Sequence, residues 1–175
     1  MDKPTLILIP GWAGNQALWE HQDHALKDTL ETRVIVMDKE RTRDAMVERV
    51  LKEAPSRFAL AGQSMGGWVA QKVAATAPER VTRLILANTW ASSRPELNAL
   101  QEQAIQAIQS GQLEEAIKSR LPLILYEGKL SDVDFLTKLK AMMLSLSADL
   151  LGAQMQAMLD DDLSLPLLPK IRPSA

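Results

Sequence analysis

The stretch FALAGQSMGG, residues 58–67, decides the fold of this chain. Its first four residues form an apolar run typical of a buried strand, and a helical pattern follows from Gly66. Between them lies Gly62-Gln63-Ser64-Met65-Gly66, a Gly-x-Ser-x-Gly pattern. A serine at a sharp strand-to-helix turn stands at the C-terminal edge of the sheet with its hydroxyl exposed, and the glycines relieve crowding there. The pattern predicts Ser64 as a nucleophile; the alternative is a turn whose serine only caps the helix.

Short apolar runs divide the first half of the chain. They lie at Thr5 to Ile9, Val34 to Met37, Phe58 to Ala61 and Leu84 to Ala87. Each is bounded by turn residues, as strands buried on both faces are, and the intervening segments are long enough for crossover helices. We therefore predict an α/β fold with a parallel sheet of about four strands and flanking helices.

From Ser92 the strand signal ends and apolar residues recur at helical spacing. Pro95 suits the first turn of a helix, and Gly111 suits its end. Ser131 and Asp134 have the spacing of a helix N-terminal cap. These features predict a helical cap or lid.

The acidic run Asp160 to Asp162 closes the last predicted helix and is interpreted as a solvated lead-out from it. We therefore divide the chain into a core at residues 1–91, a cap at 92–162 and a lead-in to a further core strand at 163–175.

A glycine-rich loop, Pro10-Gly11-Trp12-Ala13-Gly14, follows the first predicted strand. Such a loop can turn the backbone N–H of Trp12 toward the space above Ser64. With the N–H of Met65, it would form a two-donor oxyanion hole. Trp90 follows the fourth strand at the same edge of the sheet, and we expect it to line the substrate pocket.

These segments resemble the α/β-hydrolase superfamily, and within it the small carboxylesterase, enol-lactonase and C–C hydrolase group. The resemblance is carried by residues 6–12, 61–67, 77–81 and 84–88. It implies the strand order 2-1-3-4, in which the fourth strand would have an unpaired edge through which the chain could self-associate. It also implies a serine hydrolase of carboxylic esters, lactones or thioesters that forms an acyl-enzyme on Ser64. A serine at this position argues against the branches that use a carboxylate nucleophile. Pro10 departs from the histidine that members often carry there.

The resemblance also implies an acid and a histidine on later loops, after the nucleophile. No histidine follows Ser64. His21 and His24 fall in the first helical segment and are interpreted as helix residues away from the strand ends, while Asp38 would lie two strands from Ser64. We therefore expect a chain that is truncated relative to the family and poorly active alone. The alternatives are a non-catalytic binding or scaffold protein, or a fragment without function.

Composition excludes several classes of protein. The chain has no cysteine and two histidines, so thiolate metal sites are impossible, and we predict neither a metal nor a cofactor. A net charge of -2 gives no nucleic-acid or polybasic membrane footprint. The apolar run Leu6 to Pro10 is too short to span a bilayer and lacks a cleavage site after it, which favours a cytoplasmic location. The expected partner is a small ester or acyl substrate.

Overall fold

The computed structural model describes residues 3–92, 95–160 and 164–172, and only the backbone of residues 96 and 97. Its strands are β1 (Thr5–Ile9), β2 (Glu31–Val34), β3 (Phe58–Gln63) and β4 (Val81–Ala87). Its α-helices are α1 (Glu20–Leu26), α2 (Arg43–Glu53), α3 (Met65–Thr76), α4 (Pro95–Gln109), α5 (Leu113–Ile124), α6 (Val133–Met143) and α7 (Ala148–Asp160). Short 3-10 helices occupy Gln16–Trp19, Glu127–Lys129 and Leu165–Lys170. Asp161 and Asp162, which we predict to lead out of the last helix, lie outside the described residues.

The four strands form one parallel sheet in the order β2-β1-β3-β4, which confirms the predicted topology. Because β1 and β3 are adjacent, with Ile9 opposite Gly62, the loops that follow these two strands emerge side by side. This is the edge of a parallel sheet where ligands bind in open α/β folds. The sheet order therefore brings the glycine-rich loop next to Ser64.

The predicted bounds of β2 are wrong. The run Val34 to Met37 was expected to be the strand, but β2 spans Glu31–Val34 and alternates between exposed and half-buried residues. The strand lies at the edge of the sheet, where hydrogen bonding to β1 determines its position and polar side chains face solvent. Ile35 and Met37 are buried because the chain beyond the strand turns into the core.

Strand β4 also departs from the prediction that every strand is buried on both faces. Val81 is fully buried, but Ile85 is 53% exposed and Leu86 is 41% exposed. Within the described residues β4 pairs with β3 alone. Its other edge and part of its surface are therefore uncovered.

The residues after β4 are helical, as predicted. Helix α4 begins at Pro95, and Gly111 follows its end with a φ of 80°. The predicted cap at Ser131 is wrong by one residue, because the Asp132 side chain accepts the capping hydrogen bond from the Phe135 N–H at 3.0 Å. No helix in the described part of the chain is both long and apolar enough to cross a membrane.

The helices after β4 share the main hydrophobic core with the sheet. Ile105, Ala116 and Met155 pack in the same buried cluster as Ile9 and Leu60. The division into core, cap and lead-in stays a prediction, but α4, α5 and α7 pack directly over the edge of the sheet that carries Ser64.

Candidate active site

Ser64 stands at the junction of β3 and α3 with a strained backbone, φ 53° and ψ -118°. Its N–H donates to the Ala87 carbonyl at 3.0 Å, and its carbonyl accepts from Thr89 Oγ1 at 2.8 Å. These two hydrogen bonds, to the last residue of β4 and to the turn after it, hold the Ser64 turn in a conformation that L residues rarely adopt. The Ser64 side chain makes no capping hydrogen bond to α3, so the turn is not explained by a serine that caps the helix.

Glycine is required on both sides of Ser64 because backbones approach closely there. A Cβ at Gly62 would lie 2.3 Å from the Gly66 carbonyl oxygen. A Cβ at Gly66 would lie 2.2 Å from the Ile9 carbonyl oxygen and 2.6 Å from that of Pro10. The Gly-x-Ser-x-Gly pattern therefore packs the start of α3 against the end of β1.

The glycine-rich loop reaches Ser64 directly. A Cβ at Gly11 would lie 3.2 Å from the Ser64 Cβ, and the Gly14 N–H donates to the Gly11 carbonyl at 2.9 Å to close the turn. Trp12 Nε1 donates to the Leu151 carbonyl at 2.9 Å, which ties the loop to α7. The structure thus places Trp12 in the loop that adjoins Ser64.

Met65 is the first residue of the twelve-residue helix α3. The first N–H groups of a helix have no intrahelical acceptor, and they carry the positive end of the helix dipole. An anion that forms beside Ser64 would meet this helix end. The Met65 side chain itself is buried in the core.

A cavity of about 310 Å³ opens over Ser64. Trp12 and Trp90 line it, as do Asn88 from the turn after β4 and Arg120 from α5. The described residues that line it include no histidine, aspartate or glutamate. The volume lies at the lower end of the range of roughly 300–1,000 Å³ that is usual for small-molecule sites.

Arg120 is the charged residue in the described lining of this cavity, and the sequence did not reveal it. Its Nη1 is buried and has no hydrogen-bond partner among the described residues, and burial lowers the pKa of its guanidinium. Its Cζ lies 5.5 Å from the centroid of the Trp12 ring. The helical spacing of Ala116, Ile117 and Leu121 could have indicated α5, although Pro122 interrupts the pattern.

The ionisable residues weighed as substitutes for a catalytic base lie away from the cavity. His21 and His24 are exposed on α1. Asp38 follows β2 and accepts a hydrogen bond from Arg49, which holds the pKa of the Asp38 carboxyl below its ordinary value. Neither histidine nor Asp38 lines the cavity with Ser64.

The parallel sheet, the serine at the β3–α3 turn and the cavity over it define an α/β hydrolase. Residues 31–156 match the family described as "Serine aminopeptidase, S33". The match covers more than half of the chain, and the chain belongs to this family. The predicted superfamily is therefore confirmed.

Relatives of this chain include enzymes of ester chemistry. The pimeloyl-[acyl-carrier protein] methyl ester esterase of Aliivibrio fischeri (strain MJ11) is 35% identical over 88 residues, which are 46% of this chain and 34% of that esterase. The chain thus spans about a third of the length of the Aliivibrio fischeri esterases it matches.

Solved structures share the fold over most of the chain. A hydrolase from Pseudomonas aeruginosa PA01 aligns with a TM-score of 0.77 and 26% identity, over 90% of this chain and 64% of that one. The enol-lactonase of Burkholderia xenovorans LB400 aligns with a TM-score of 0.84 and 18% identity, over 98% of this chain and 70% of that one. At 18% identity, the similarity to the enol-lactonase shows a shared fold.

Proposed function

We propose that this chain carries the nucleophile and the oxyanion hole of a serine hydrolase that cleaves small carboxylic esters, lactones or thioesters. The observation that carries the proposal is the strained, hydrogen-bonded Ser64 turn, whose side chain does not cap α3 and which lines a cavity of about 310 Å³. The ester chemistry of the relatives supports it. A cytoplasmic location remains a prediction.

In this proposal Ser64 Oγ attacks the carbonyl carbon of the substrate and loses its proton to a base. The carbonyl oxygen becomes an oxyanion, which accepts hydrogen bonds from the N–H groups of Trp12 and Met65. Collapse of this intermediate expels the alcohol, which takes up the proton, and leaves an acyl group on Ser64. Water then attacks the acyl carbon and releases the acid, and the proton returns to Ser64.

The parts of the chain divide this work. Residues 1–91 supply Ser64 and the oxyanion loop, residues 92–162 cover them as a cap, and residues 163–175 lead toward a further core strand. Trp90 lines the substrate pocket. Because no histidine or carboxylate lines the cavity among the described residues, we expect Ser64 to lack its base and acid partner in this chain, and we expect the chain alone to turn over slowly.

The alternative is a binding or scaffold protein, or a fragment, that retains the turn without catalysis. The absence of an acid or a histidine from the described lining of the cavity favours it. The two proposals differ in the reactivity of Ser64. In a binding protein we expect the Ser64 hydroxyl to react with an electrophile no faster than the hydroxyl of an ordinary surface serine.

Labelling with a fluorophosphonate probe tests the proposal. We expect the probe to modify Ser64, slowly and as a single adduct by intact mass and peptide mapping, and we expect Ser64→Ala to remain unlabelled. Ser56→Ala, which removes an exposed serine before the opposite end of β3, is the matched control and should label like the wild type.

Equal labelling of the wild type and of Ser64→Ala would contradict the role of Ser64. Labelling of Ser64 as fast as that of complete serine hydrolases would contradict the slow turnover and indicate a base within this chain.

A further inference from the structure

Arg120 is the one charged side chain among the described residues that line the Ser64 cavity. It belongs to α5, and its guanidinium lies over the Trp12 ring with Cζ 5.5 Å from the centroid. Nη1 is buried and donates to no acceptor within the described residues. Within the described lining of the cavity, no acidic side chain compensates this positive charge.

Two other arginines, the buried Arg43 and the half-buried Arg80, differ from Arg120 because their guanidiniums donate to acceptors of the fold, although Arg80 Nε has no partner within the described residues. Arg43 donates to the Trp68 carbonyl and to Ser164 Oγ. Arg80 donates to three backbone carbonyls at 2.8–3.0 Å. By contrast, Arg120 lines the cavity, and its guanidinium lies over the Trp12 ring.

A buried guanidinium without a counter-ion is unfavourable, because desolvation is not offset by an ion pair. A ring contact offsets only part of that cost. A carboxylate offsets much more, since its two oxygens match the planar fork of arginine. The complement of this cavity is therefore a ligand with one negative charge.

The two ends of such a ligand have defined neighbours. Trp12, on which the Arg120 guanidinium lies, directly follows Gly11, where an added Cβ would lie 3.2 Å from the Ser64 Cβ. An anionic group at Arg120 and an ester carbonyl at Ser64 thus lie within one cavity of about 310 Å³. A volume of this size suits a small, short-chain molecule.

We propose that Arg120 binds a free carboxylate of the substrate, so that the cavity accepts monoesters of small dicarboxylic acids in preference to neutral esters. The proposal rests on the proposed function for the ester end of the ligand. The carboxylate end depends on Arg120 alone and can be tested without catalysis.

Isothermal titration calorimetry on the Ser64→Ala variant separates the two ends, because the ester is not consumed. The probes are monomethyl glutarate, which carries one carboxylate at neutral pH, and dimethyl glutarate, which is neutral. We expect the monoester to bind at least about tenfold more tightly, as a charge-assisted hydrogen bond at a buried site predicts.

In the Ser64→Ala background, Arg120→Gln should reduce this ratio to about one, and Arg120→Lys should retain part of it. Lys118→Gln is the matched control, because it removes a positive charge from the exposed face of the same helix and should leave the ratio unchanged. Circular dichroism melting confirms that each variant is folded. If Arg120→Gln does not fold, two measurements test whether Arg120 binds the carboxylate: the preference for the monoester in Ser64→Ala and the part of that preference that Arg120→Lys retains.

Equal binding of the two probes, or a preference that survives in a folded Arg120→Gln variant, would overturn this inference. Fluorophosphonate labelling tests the proposed function separately. If the fluorophosphonate does not label Ser64 while the carboxylate preference depends on Arg120, the cavity binds anions without being a hydrolase site.

Discussion

The Ser64 turn and strand β4 are neighbours in the sheet, yet they are packed in opposite ways. Around Ser64, Ile9 and Trp68 are fully buried, and backbones meet where a single Cβ would not fit. On β4, Ile85 is 53% exposed and Leu86 is 41% exposed. The chain thus completes the packing of the turn that carries the nucleophile but not the packing of the adjoining strand.

This difference shows which features are specified locally. The geometry at Ser64 depends on β1, β3 and α3 and on hydrogen bonds to the end of β4 and the turn after it, all of which the chain contains. The uncovered surface of β4 depends on something that packs against it. Self-association through β4 therefore remains our proposal for this surface, since an unpaired strand edge can pair with another chain.

The largest effect is expected at the closely packed turn. In Gly66→Ala, the new Cβ would lie 2.2 Å from the Ile9 carbonyl oxygen, a backbone atom that cannot move away alone. We expect unfolding in urea to show a loss of about 3 kcal/mol.

Gly152→Ala is the matched control for Gly66→Ala, because it also introduces a methyl group in a helix. Its Cβ would meet only Ile108 Cγ2 at 3.4 Å, and we expect no loss, or a gain of up to about 1 kcal/mol from helix propensity. Equal urea midpoints for the two variants would show that the turn is not tightly packed.

A smaller effect on stability is expected at β4. Ile85→Thr keeps the β-branched shape on a half-exposed side chain and should change the free energy of unfolding by no more than about 0.5 kcal/mol. It should also weaken self-association in sedimentation equilibrium, since it removes an exposed apolar side chain.

The same substitution at a buried position sharpens the comparison. Ile7 is fully buried on β1, and Ile7→Thr should cost about 3 kcal/mol, because it removes packed methylene groups and buries a hydroxyl. A large loss in Ile85→Thr would mean that β4 is covered in solution.

A similarly small effect is expected at Asp38, in the segment after β2. The pKa of Asp38 is lowered by its hydrogen bond from Arg49, so Asp38 stabilises the fold above its unfolded pKa of about 3.9, and this contribution is lost as pH falls through the folded value. Because Asp38 is partly exposed, Asp38→Asn should cost only about 0.5 kcal/mol at pH 7.

Chemical unfolding as a function of pH checks this expectation. The difference between the wild type and Asp38→Asn should shrink at about pH 3 and below. Glu48→Gln, an exposed change on α2, should show no such pH-dependent difference.

Local patterns predicted the parts of the fold that local physics determines. Strand β1 has the predicted bounds, because its apolar run is buried in the centre of the sheet. Strand β2 does not, since an edge strand is placed by its hydrogen bonds to β1 rather than by hydrophobicity, and its residues are polar. The alternation of strands and helices predicted a parallel sheet, whereas the order of its strands came from the resemblance to the α/β-hydrolase superfamily.

The candidate site divides in the same way. Ser64 could be predicted because the strand, the glycines and the helix that shape its turn are contiguous in sequence. Arg120 could not, since its burial results from packing α5 over the loop that carries Trp12, a residue more than a hundred positions away. A lone arginine in a helix carries no sequence signature of a ligand site.

A crystal structure of the chain after reaction with a fluorophosphonate tests the central claim most directly. We predict that phosphorus is bonded to Ser64 Oγ, with the phosphonyl oxygen about 3 Å from the backbone nitrogens of both Trp12 and Met65. An adduct on another residue, or a phosphonyl oxygen directed away from both nitrogens, would contradict it.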